Sequence, residues 1–308
     1  MKIGLYNFFT MIVILFICTP LIANGSKATK KSLSIQEQLV SLEASAEGRL
    51  GVYAINTADN IYLQYRGQER FPFGSTAKVI VVAAILQQSM TDKNIMRQLI
   101  TYKKEDLAGY SPVTKKHLTD GMTISELCAA AISQSDNIAV NLLIKRLGGL
   151  QAVNAFAHSI GDNKFKLDRL EPDLNSAIPG DHRDTSTPAA MAKDLRLLTL
   201  DKTLGSSQRK ELLVWLKKNV TGYSRIRAGL PKNWVVGDKT GTSDYGTTND
   251  IAVIWPPTCN PIVVAIYFTQ NAQNAIPRDD VIVNATKLLI NDFSGKSKCI
   301  ASQIGNKM

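Results

Sequence analysis

The chain has 308 residues, of which 44% are hydrophobic and 20% charged, and its formal net charge is +10. This balance fits a globular protein with a sizeable core and argues against a disordered chain. The lysines are scattered, mostly as isolated pairs such as Lys103-Lys104, and no basic run is interleaved with aromatic residues. We therefore expect a solvated basic surface and no nucleic-acid partner.

The amino terminus has the pattern of a secretory signal peptide. Lys2 precedes a short apolar run over residues 8–17, and Ala23 and Gly25 offer the small side chains that a signal peptidase reads. A membrane anchor is the alternative, but the run is short for a bilayer span. We predict a signal peptide over residues 1–25 and a secreted or periplasmic mature protein that has no membrane association after cleavage.

Strands are predicted at both ends of the chain and helices in the middle. That order predicts an α/β (α+β) fold, in which an antiparallel sheet is built from both ends and an all-helical lobe is inserted. We assign residues 26–70 and 217–308 to an α/β lobe and residues 71–216 to an all-α lobe. The predicted elements are a helix over 32–47, strands over 49–56 and 61–65, a helix over 75–90, further helices without a good strand over 91–216, strands over 234–243, 250–256 and 261–269, and a helix over 279–293.

Three cysteines remain after the predicted signal peptide. Cys128 lies in an apolar, helical stretch and is predicted to be a buried free thiol. Cys259 lies in a proline-rich turn between two predicted strands, and Cys299 follows the last predicted helix. Export would place the protein in an oxidising compartment. A Cys259–Cys299 disulfide is therefore our hypothesis.

Ser75 and Lys78 form the first motif that carries chemistry. Pro72 and Gly74 interrupt the chain just before a predicted helix, so Ser75 is expected at a helix amino terminus, where free N–H groups favour negative charge. Lys78 lies one turn later on the same face. An amine in that position activates a serine nucleophile if its pKa is lowered. The alternative interpretation is a capping serine and a surface lysine.

Three further polar clusters interrupt otherwise apolar or regular segments. Glu171 precedes Pro172, which disfavours helix at that point, and Asn175 follows four residues later, so both side chains could hold one water molecule. Each cluster alone also fits a helix break, a polar surface loop or an ordinary strand. The clusters are Ser135-Asp136-Asn137, Glu171 with Asn175, and Lys239-Thr240-Gly241-Thr242.

Together, the order and spacing of these four motifs resemble those of the class A serine β-lactamases, in which S-x-x-K, S-D-N and K-T-G recur. The resemblance covers essentially the whole mature chain. It implies the fold of that family, which is a five-stranded antiparallel sheet flanked by helices together with an all-α lobe. It also implies an active site between the two lobes and a small-molecule β-lactam substrate, with no cofactor, no metal and a monomeric protein.

The resemblance implies a catalytic role for each of four residues. Ser75 would be the nucleophile, and Lys78, or Glu171 acting through water, would take its proton. Ser135 would relay a proton to the departing ring nitrogen. Glu171, with Asn175, would hold the water that hydrolyses the acyl-enzyme. The implied activity is hydrolysis of penicillins and cephalosporins and resistance to these antibiotics.

The resemblance also implies a set of substrate-binding residues. Tyr110 would form an aromatic wall, and Asn137 would bind the amide of the substrate side chain. The backbone N–H groups of Ser75 and Thr242 would form an oxyanion hole. The substrate-binding residues implied are Tyr110, Asn137, Asn175, Arg225, Lys239, Thr240, Gly241 and Thr242.

Two structural details follow from the same resemblance. The Glu171–Pro172 peptide bond is expected to be cis, and Arg169 and Asp184 are expected to form an ion pair that closes the loop. The segments around Arg225 and over residues 239–250 are similar to those of the carbapenem-hydrolysing branch. That branch carries a disulfide at the positions occupied here by Gly74 and Ser243, so carbapenem hydrolysis is only a hypothesis.

A penicillin-binding D-Ala-D-Ala peptidase is the nearest alternative, since it shares Ser75 and Lys78 and also forms an acyl-enzyme. Glu171 and Asn175 argue against it, because those peptidases lack the water-holding loop. A β-lactam sensor domain is a second, non-enzymatic alternative. A zinc site is not expected, because the three histidines are far apart in sequence and form no metal-binding motif; they are His117, His158 and His182.

Overall fold

The computed structural model describes residues 1, 3–4, 33–106 and 109–304. From Leu33 onward the chain forms one compact unit. The predicted signal peptide, residues 1–25, lies almost wholly outside the described residues. Among the residues that are described, no helix combines the length and the apolar character needed to cross a membrane.

The described chain contains groups of helices and groups of strands. The helices are α1 (Ile35–Ala46), α2 (Lys78–Gln88), α3 (Ile124–Ser133), α4 (Asn137–Leu147), α5 (Leu150–Ser159), α6 (Pro188–Thr199), α7 (Ser206–Lys217), α8 (Asp279–Lys296) and α9 (Lys298–Ile304). The strands are β1 (Arg49–Asn56), β2 (Tyr62–Tyr65), β3 (Phe71–Pro72), β4 (Leu99–Ile100), β5 (Met122–Thr123), β6 (Thr185–Ser186), β7 (Val235–Ser243), β8 (Thr247–Trp255) and β9 (Ile262–Thr269).

The main sheet joins the two ends of the chain. Its strand order is β2-β1-β9-β8-β7 and every pairing is antiparallel. Strand β1 pairs with β9 over its whole length, from Arg49 opposite Thr269 to Asn56 opposite Ile262. The five-stranded antiparallel sheet expected from the sequence is therefore confirmed.

Three details of the sequence-based elements were wrong. Strand β8 begins at Thr247 and not at 250, because residues 247–249 pair with residues 241–243 of β7. Three two-residue strands, β4, β5 and β6, occur within 91–216, where none was expected; β4 pairs with β5, and β6 pairs with β3. Such short pairings leave no periodic pattern in the sequence. Helix α9 was also missed.

Alternate residues of each strand enter different hydrophobic clusters, as the two-residue repeat of a strand requires. On β9, Val263, Ala265 and Tyr267 pack with the central helices, and Val264 and Ile266 pack with α1 and α8. Helix α2 is buried on all sides over residues 78–86, which explains why its sequence is apolar all round. The sheet thus separates two layers of helices.

Helices α6 and α7 lie within residues 71–216 but contact the sheet as well as other helices. Helix α6 packs on β9 and β1, and α7 packs on β7. The division into lobes at residues 70 and 217 stays a prediction.

The disulfide hypothesis is confirmed. Cys259 and Cys299 are bonded, with their Cα atoms 5.9 Å apart, and the bond ties the β8–β9 turn to α9. Cys128 is a buried free thiol, as expected, and burial raises its pKa well above the ordinary value. An inert thiol inside the helical layer follows from this.

Replacing Cys259 and Cys299 by serine should lower the free energy of unfolding by about 2–4 kcal/mol, because the bond constrains the unfolded chain. Denaturant unfolding of protein that lacks residues 1–25 measures this loss. In the wild type, denatured protein should show one free thiol before reduction and three after it. An unchanged thiol count after reduction would contradict the assignment.

Candidate active site

Ser75 lies in a tight turn that feeds α2. The 3₁₀ helix Gly74–Ala77 runs directly into α2, so Ser75 precedes the first α-helical residue by one turn. Gly74 has φ +52°, and a Cβ there would lie 2.8 Å from Ser243 Oγ and 3.3 Å from Thr242 N. The positive φ favours glycine here, and a larger side chain would have to displace the Ser243 hydroxyl on β7.

Lys78 places its amine at the centre of the site. The side chain is buried, and Nζ lies 2.7 Å from Ser135 O, 2.7 Å from Asn137 Oδ1 and 3.0 Å from Glu171 Oε1. Burial lowers the pKa of Lys78, and the Glu171 carboxylate opposes that shift. At a given pH, a larger fraction of this amine is therefore neutral, and so able to accept a proton, than in an exposed lysine.

The Ser135-Asp136-Asn137 cluster forms the connection between α3 and α4. Ser135 has φ +57°, and Asp136 caps α4 by accepting from Ala139 N at 3.0 Å. The same carboxylate accepts from the backbone N–H and the hydroxyl of Thr114. Asp136 is thus structural, and its saturated hydrogen bonding allows a charge inside an apolar region.

Glu171 is held through both its backbone and its carboxylate. The Glu171–Pro172 bond is cis, as expected, and Asn141 bonds both the backbone N–H and the C=O of Glu171. Asn175 Nδ2 donates to Glu171 Oε2. Ser75 Oγ donates to Glu171 Oε1 at 3.2 Å. The proposed nucleophile and the carboxylate are therefore in direct contact.

The Glu171 loop, residues 167–184, is closed at its neck. Arg169 Nε contacts Asp184 Oδ2 at 2.6 Å, which confirms the expected ion pair. Asp184 Oδ1 also accepts from the backbone N–H groups of Asp168 and Arg169. A bridge between Lys166 and Thr185 completes the closure. The closed neck therefore holds in place the loop that carries Glu171.

Strand β7 forms the opposite wall. Lys239 is fully buried; its Nζ donates to Ser135 Oγ at 3.0 Å and to Thr240 O at 2.9 Å. Burial, and then the charge of Lys78, hold the pKa of Lys239 well below its ordinary value. A Cβ on Gly241 would lie 2.5 Å from Phe73 O, so glycine permits the close contact of β7 with the turn that carries Ser75.

Arg225 braces the end of β7. Its guanidinium donates to Gly241 O and Asn249 O, each at 2.8 Å, and to Thr242 Oγ1 at 2.7 Å. Asp279, at the start of α8, accepts from Arg225 Nε at 2.7 Å. The guanidinium is thus fixed beside the strand end and offers positive charge to the groove.

A cavity of about 250 Å³ joins these elements. Eight of the residues expected in the site line it directly. Lys78, Glu171, Lys239 and Gly241 lie behind them and make the contacts described above. The lining residues are Ser75, Tyr110, Ser135, Asn137, Asn175, Thr221, Arg225, Thr240 and Thr242.

Three of these contact residues were missed by the sequence interpretation. Thr221 lines the cavity and shares a hydrogen bond with Thr240 Oγ1, Asn141 holds Glu171, and Asp279 holds Arg225. Their spacing from the motifs carries no signal, because the fold alone brings them close. A larger cavity of about 610 Å³ lies beside the far side of the Glu171 loop, and its arginines are paired with acidic residues or backbone carbonyls.

The arrangement suits nucleophilic catalysis. It combines a hydroxyl, a buried amine and a buried carboxylate within one contact network. In the part of the chain that is described, no group of three or more histidine, cysteine or acidic side chains could hold a metal ion.

Comparison with known proteins agrees with this geometry. A family model described as the β-lactamase enzyme family matches residues 34–293. The β-lactamase CTX-M-97 of Escherichia coli is 53% identical over 274 residues, covering 89% of this chain and 94% of that protein. The β-lactamase OXY-2 of Klebsiella oxytoca is 52% identical over 278 residues, covering 90% and 96%.

Solved structures show the same similarity. A β-lactamase from Desulfarculus baarsii superposes with a TM-score of 0.84 at 48% identity, covering 85% of this chain and 99% of that one. An ancestral class A β-lactamase superposes with a TM-score of 0.82 at 53% identity, covering 84% and 100%. The chain therefore belongs to the β-lactamase enzyme family, as a class A serine β-lactamase, a hydrolase that confers resistance to β-lactam antibiotics.

Proposed function

We propose that this enzyme hydrolyses the β-lactam amide of penicillins and cephalosporins through an ester on Ser75, and that Glu171 activates the water that cleaves the ester. The observation that carries the proposal is the convergence of Ser75 Oγ and Lys78 Nζ on one oxygen of Glu171, at 3.2 Å and 3.0 Å. Acylation and deacylation both need a proton acceptor beside Ser75, and the two groups in this contact, the Lys78 amine and the Glu171 carboxylate, can each serve as one.

In the acylation step, Ser75 Oγ attacks the lactam carbonyl and loses its proton to Lys78 or, through water, to Glu171. The C–N bond then breaks, and the ring nitrogen takes up a proton. Ser135 Oγ is well placed to relay it, because it accepts from Lys239 Nζ at 3.0 Å and lies 3.4 Å from Lys78 Nζ. A proton removed from Ser75 can thus return to the leaving nitrogen.

The backbone N–H groups of Ser75 and Thr242 are proposed as the oxyanion hole. Support comes from the close approach of the two segments: a Cβ on Gly241 would lie 3.3 Å from Ser75 N, and one on Gly74 would lie 3.3 Å from Thr242 N. Donors fixed in this way stabilise charge that develops on the carbonyl oxygen.

The groove offers groups for each part of the substrate. Thr240, Thr242 and Arg225 line the cavity on the β7 side and suit a carboxylate. Asn137 suits the amide of the substrate side chain. Tyr110, which is 57% exposed, offers an aromatic wall at the entrance.

In the deacylation step, Glu171 takes a proton from water as the water attacks the ester, and Ser75 Oγ leaves with a proton. Asn175 supports this role, because it bonds Glu171 Oε2 and is itself held by Ser243 Oγ at 2.9 Å. Asn175 of the loop and Ser243 of β7 thus orient the Glu171 carboxylate together.

The proposed signal peptide, residues 1–25, would direct export and bring the enzyme to its substrates outside the cytoplasm. The Cys259–Cys299 disulfide supports an oxidising compartment. A monomer is proposed as the working form.

Carbapenem hydrolysis stays a prediction. Gly74 and Ser243 lie against each other, but neither carries sulfur, so the disulfide of the carbapenem-hydrolysing branch cannot form here. Turnover of imipenem by the purified enzyme would support this prediction, and unmeasurable turnover would remove it.

Replacing Glu171 by glutamine should lower kcat for penicillin by about 10²–10⁴-fold, because the base for deacylation is lost. Intact-protein mass spectrometry should show a persistent adduct of one penicillin on Ser75. Wild-type enzyme should instead consume excess penicillin and return to its starting mass. Asp173→Asn, an exposed carboxylate of the same loop, is the matched control and should keep turnover.

An unchanged kcat in Glu171→Gln would contradict the deacylation mechanism. A persistent adduct in the wild type would instead indicate a penicillin-binding peptidase or a sensor. Absence of any adduct in Ser75→Ala, with an adduct in Glu171→Gln, would fix the nucleophile.

Acylation of Glu171→Gln should rise with pH and level off at a lower pH than in the wild type. In this variant the base for acylation must be the neutral amine of Lys78, so the acylation rate increases as pH rises through the pKa of Lys78. Burial lowers that pKa and the Glu171 carboxylate raises it, so removing the carboxylate should lower it further. Single-turnover acylation followed across pH measures the shift. Loss of acylation at every pH would show that Glu171 is the required base.

Arg225→Ala should lower kcat/KM for penicillin by about 10–100-fold, the effect of losing a hydrogen bond to a charged partner. The matched control is Arg278→Ala, which removes an arginine that pairs with Asp280 at the surface. Steady-state kinetics give kcat/KM for both variants. An equal loss in the two would mean that general positive charge, and not a fixed guanidinium, binds the substrate.

A further inference from the structure

Two buried aspartates outside the catalytic groove are left with one unpartnered oxygen each. Asp162 follows α5, and its Oδ1 accepts from the backbone N–H groups of Lys164 and Phe165, at 2.6 Å and 3.0 Å. Asp194 lies on α6 and is 2% exposed. Asp162 Oδ2 and Asp194 Oδ2 are buried without a conventional hydrogen-bond partner. Buried polar atoms of this kind require an explanation.

The two carboxyl groups lie within hydrogen-bonding range of each other. Two ionised carboxylates in contact inside a protein repel strongly, and neither offers a proton. One bound proton removes the repulsion, because the protonated carboxyl group then donates a hydrogen bond and the ionised one accepts it. Burial, and then the charge and hydrogen bond of Asp162, hold the pKa of Asp194 well above its ordinary value.

We propose that Asp162 and Asp194 share one proton at neutral pH, and that this carboxyl–carboxylate hydrogen bond ties the segment entering the Glu171 loop to the helix that follows the loop. Asp162 precedes the bridge between Lys166 and Thr185, and α6 begins at Pro188, just after that bridge. The pair therefore links the segments on both sides of the neck.

The charged and titratable groups around the pair do not replace the proton. Lys193 is the neighbour of Asp194 on α6, but its Nζ lies over the ring of Tyr53 on β1, 5.9 Å from the centroid. On β9, Tyr267 faces the pair, and its hydroxyl is hydrogen-bonded to Thr76 at 2.8 Å. The same tyrosine also feels the carboxyl group of Asp250 on β8.

The shared proton makes stability depend on pH with a definite sign. The folded pair binds a proton more tightly than unfolded aspartate, whose pKa is about 3.9. Its contribution to stability is therefore complete below about pH 4 and is lost as pH rises through the raised folded-state pKa. Over that range, the folding equilibrium constant should fall by up to about tenfold for each pH unit from this pair alone.

Asp194→Asn and Asp162→Asn test the proposal. In either variant the amide donates to the remaining carboxylate without taking up a proton. Asn at position 162 also keeps an Oδ1 for the N–H groups of Lys164 and Phe165. Denaturant unfolding from about pH 5 to about pH 9 should show a flatter decline of stability than in the wild type. Asp120→Asn, an exposed change of the same charge, should follow the wild-type profile.

Infrared spectroscopy of the folded wild type gives a second measurement that does not depend on the variants folding well. A band from a protonated carboxylic acid at neutral pH, absent in Asp194→Asn, is the expected result. Parallel pH profiles for the wild type and both variants, or no difference in that band, would overturn the shared proton. Neither readout involves β-lactam turnover, so the test is independent of the proposed mechanism.

Discussion

The burial of the Lys78 amine is the constraint on which the active site depends. An ammonium group inside a protein is costly unless it is paired and hydrogen-bonded. Here the partners come from two separate parts of the chain: the S-D-N connection supplies Ser135 O and Asn137 Oδ1, and the Glu171 loop supplies a carboxylate. Satisfying one amine therefore fixes the turn that carries Ser75 against the α3–α4 connection and the loop.

The same constraint changes the pKa of the amine. Burial lowers the pKa of Lys78 and of Lys239, which approaches from β7, and the charge of Lys78 lowers the pKa of Lys239 further. A single carboxylate, Glu171, contacts both the serine hydroxyl and Lys78. Burial thus lowers the pKa of the Lys78 amine, and its hydrogen bonds and its contact with Glu171 offset the cost of burying it.

Much of this could be predicted from the sequence, because local patterns carry it. The strands predicted over 49–56, 234–243 and 261–269 correspond to β1, β7 and β9, and Pro72 and Gly74 before a helical run predicted Ser75 at the start of a helix. The S-x-x-K, S-D-N and K-T-G motifs indicated the candidate functional residues through a family resemblance. The start of β8 was misjudged, since threonine and asparagine at 247–249 look like a turn until their pairing with β7 is known.

By itself, the sequence indicated the order of the main strands and helices and, through the resemblance, the family and the proposed catalytic residues. Only the tertiary structure decided which distant groups hold those residues: Asn141 behind Glu171, Asp279 behind Arg225, and Asp194 against Asp162. Motifs are visible along the chain because their spacing is local. Contacts between residues far apart in sequence depend on how the sheet brings the two ends together, and no local pattern records them.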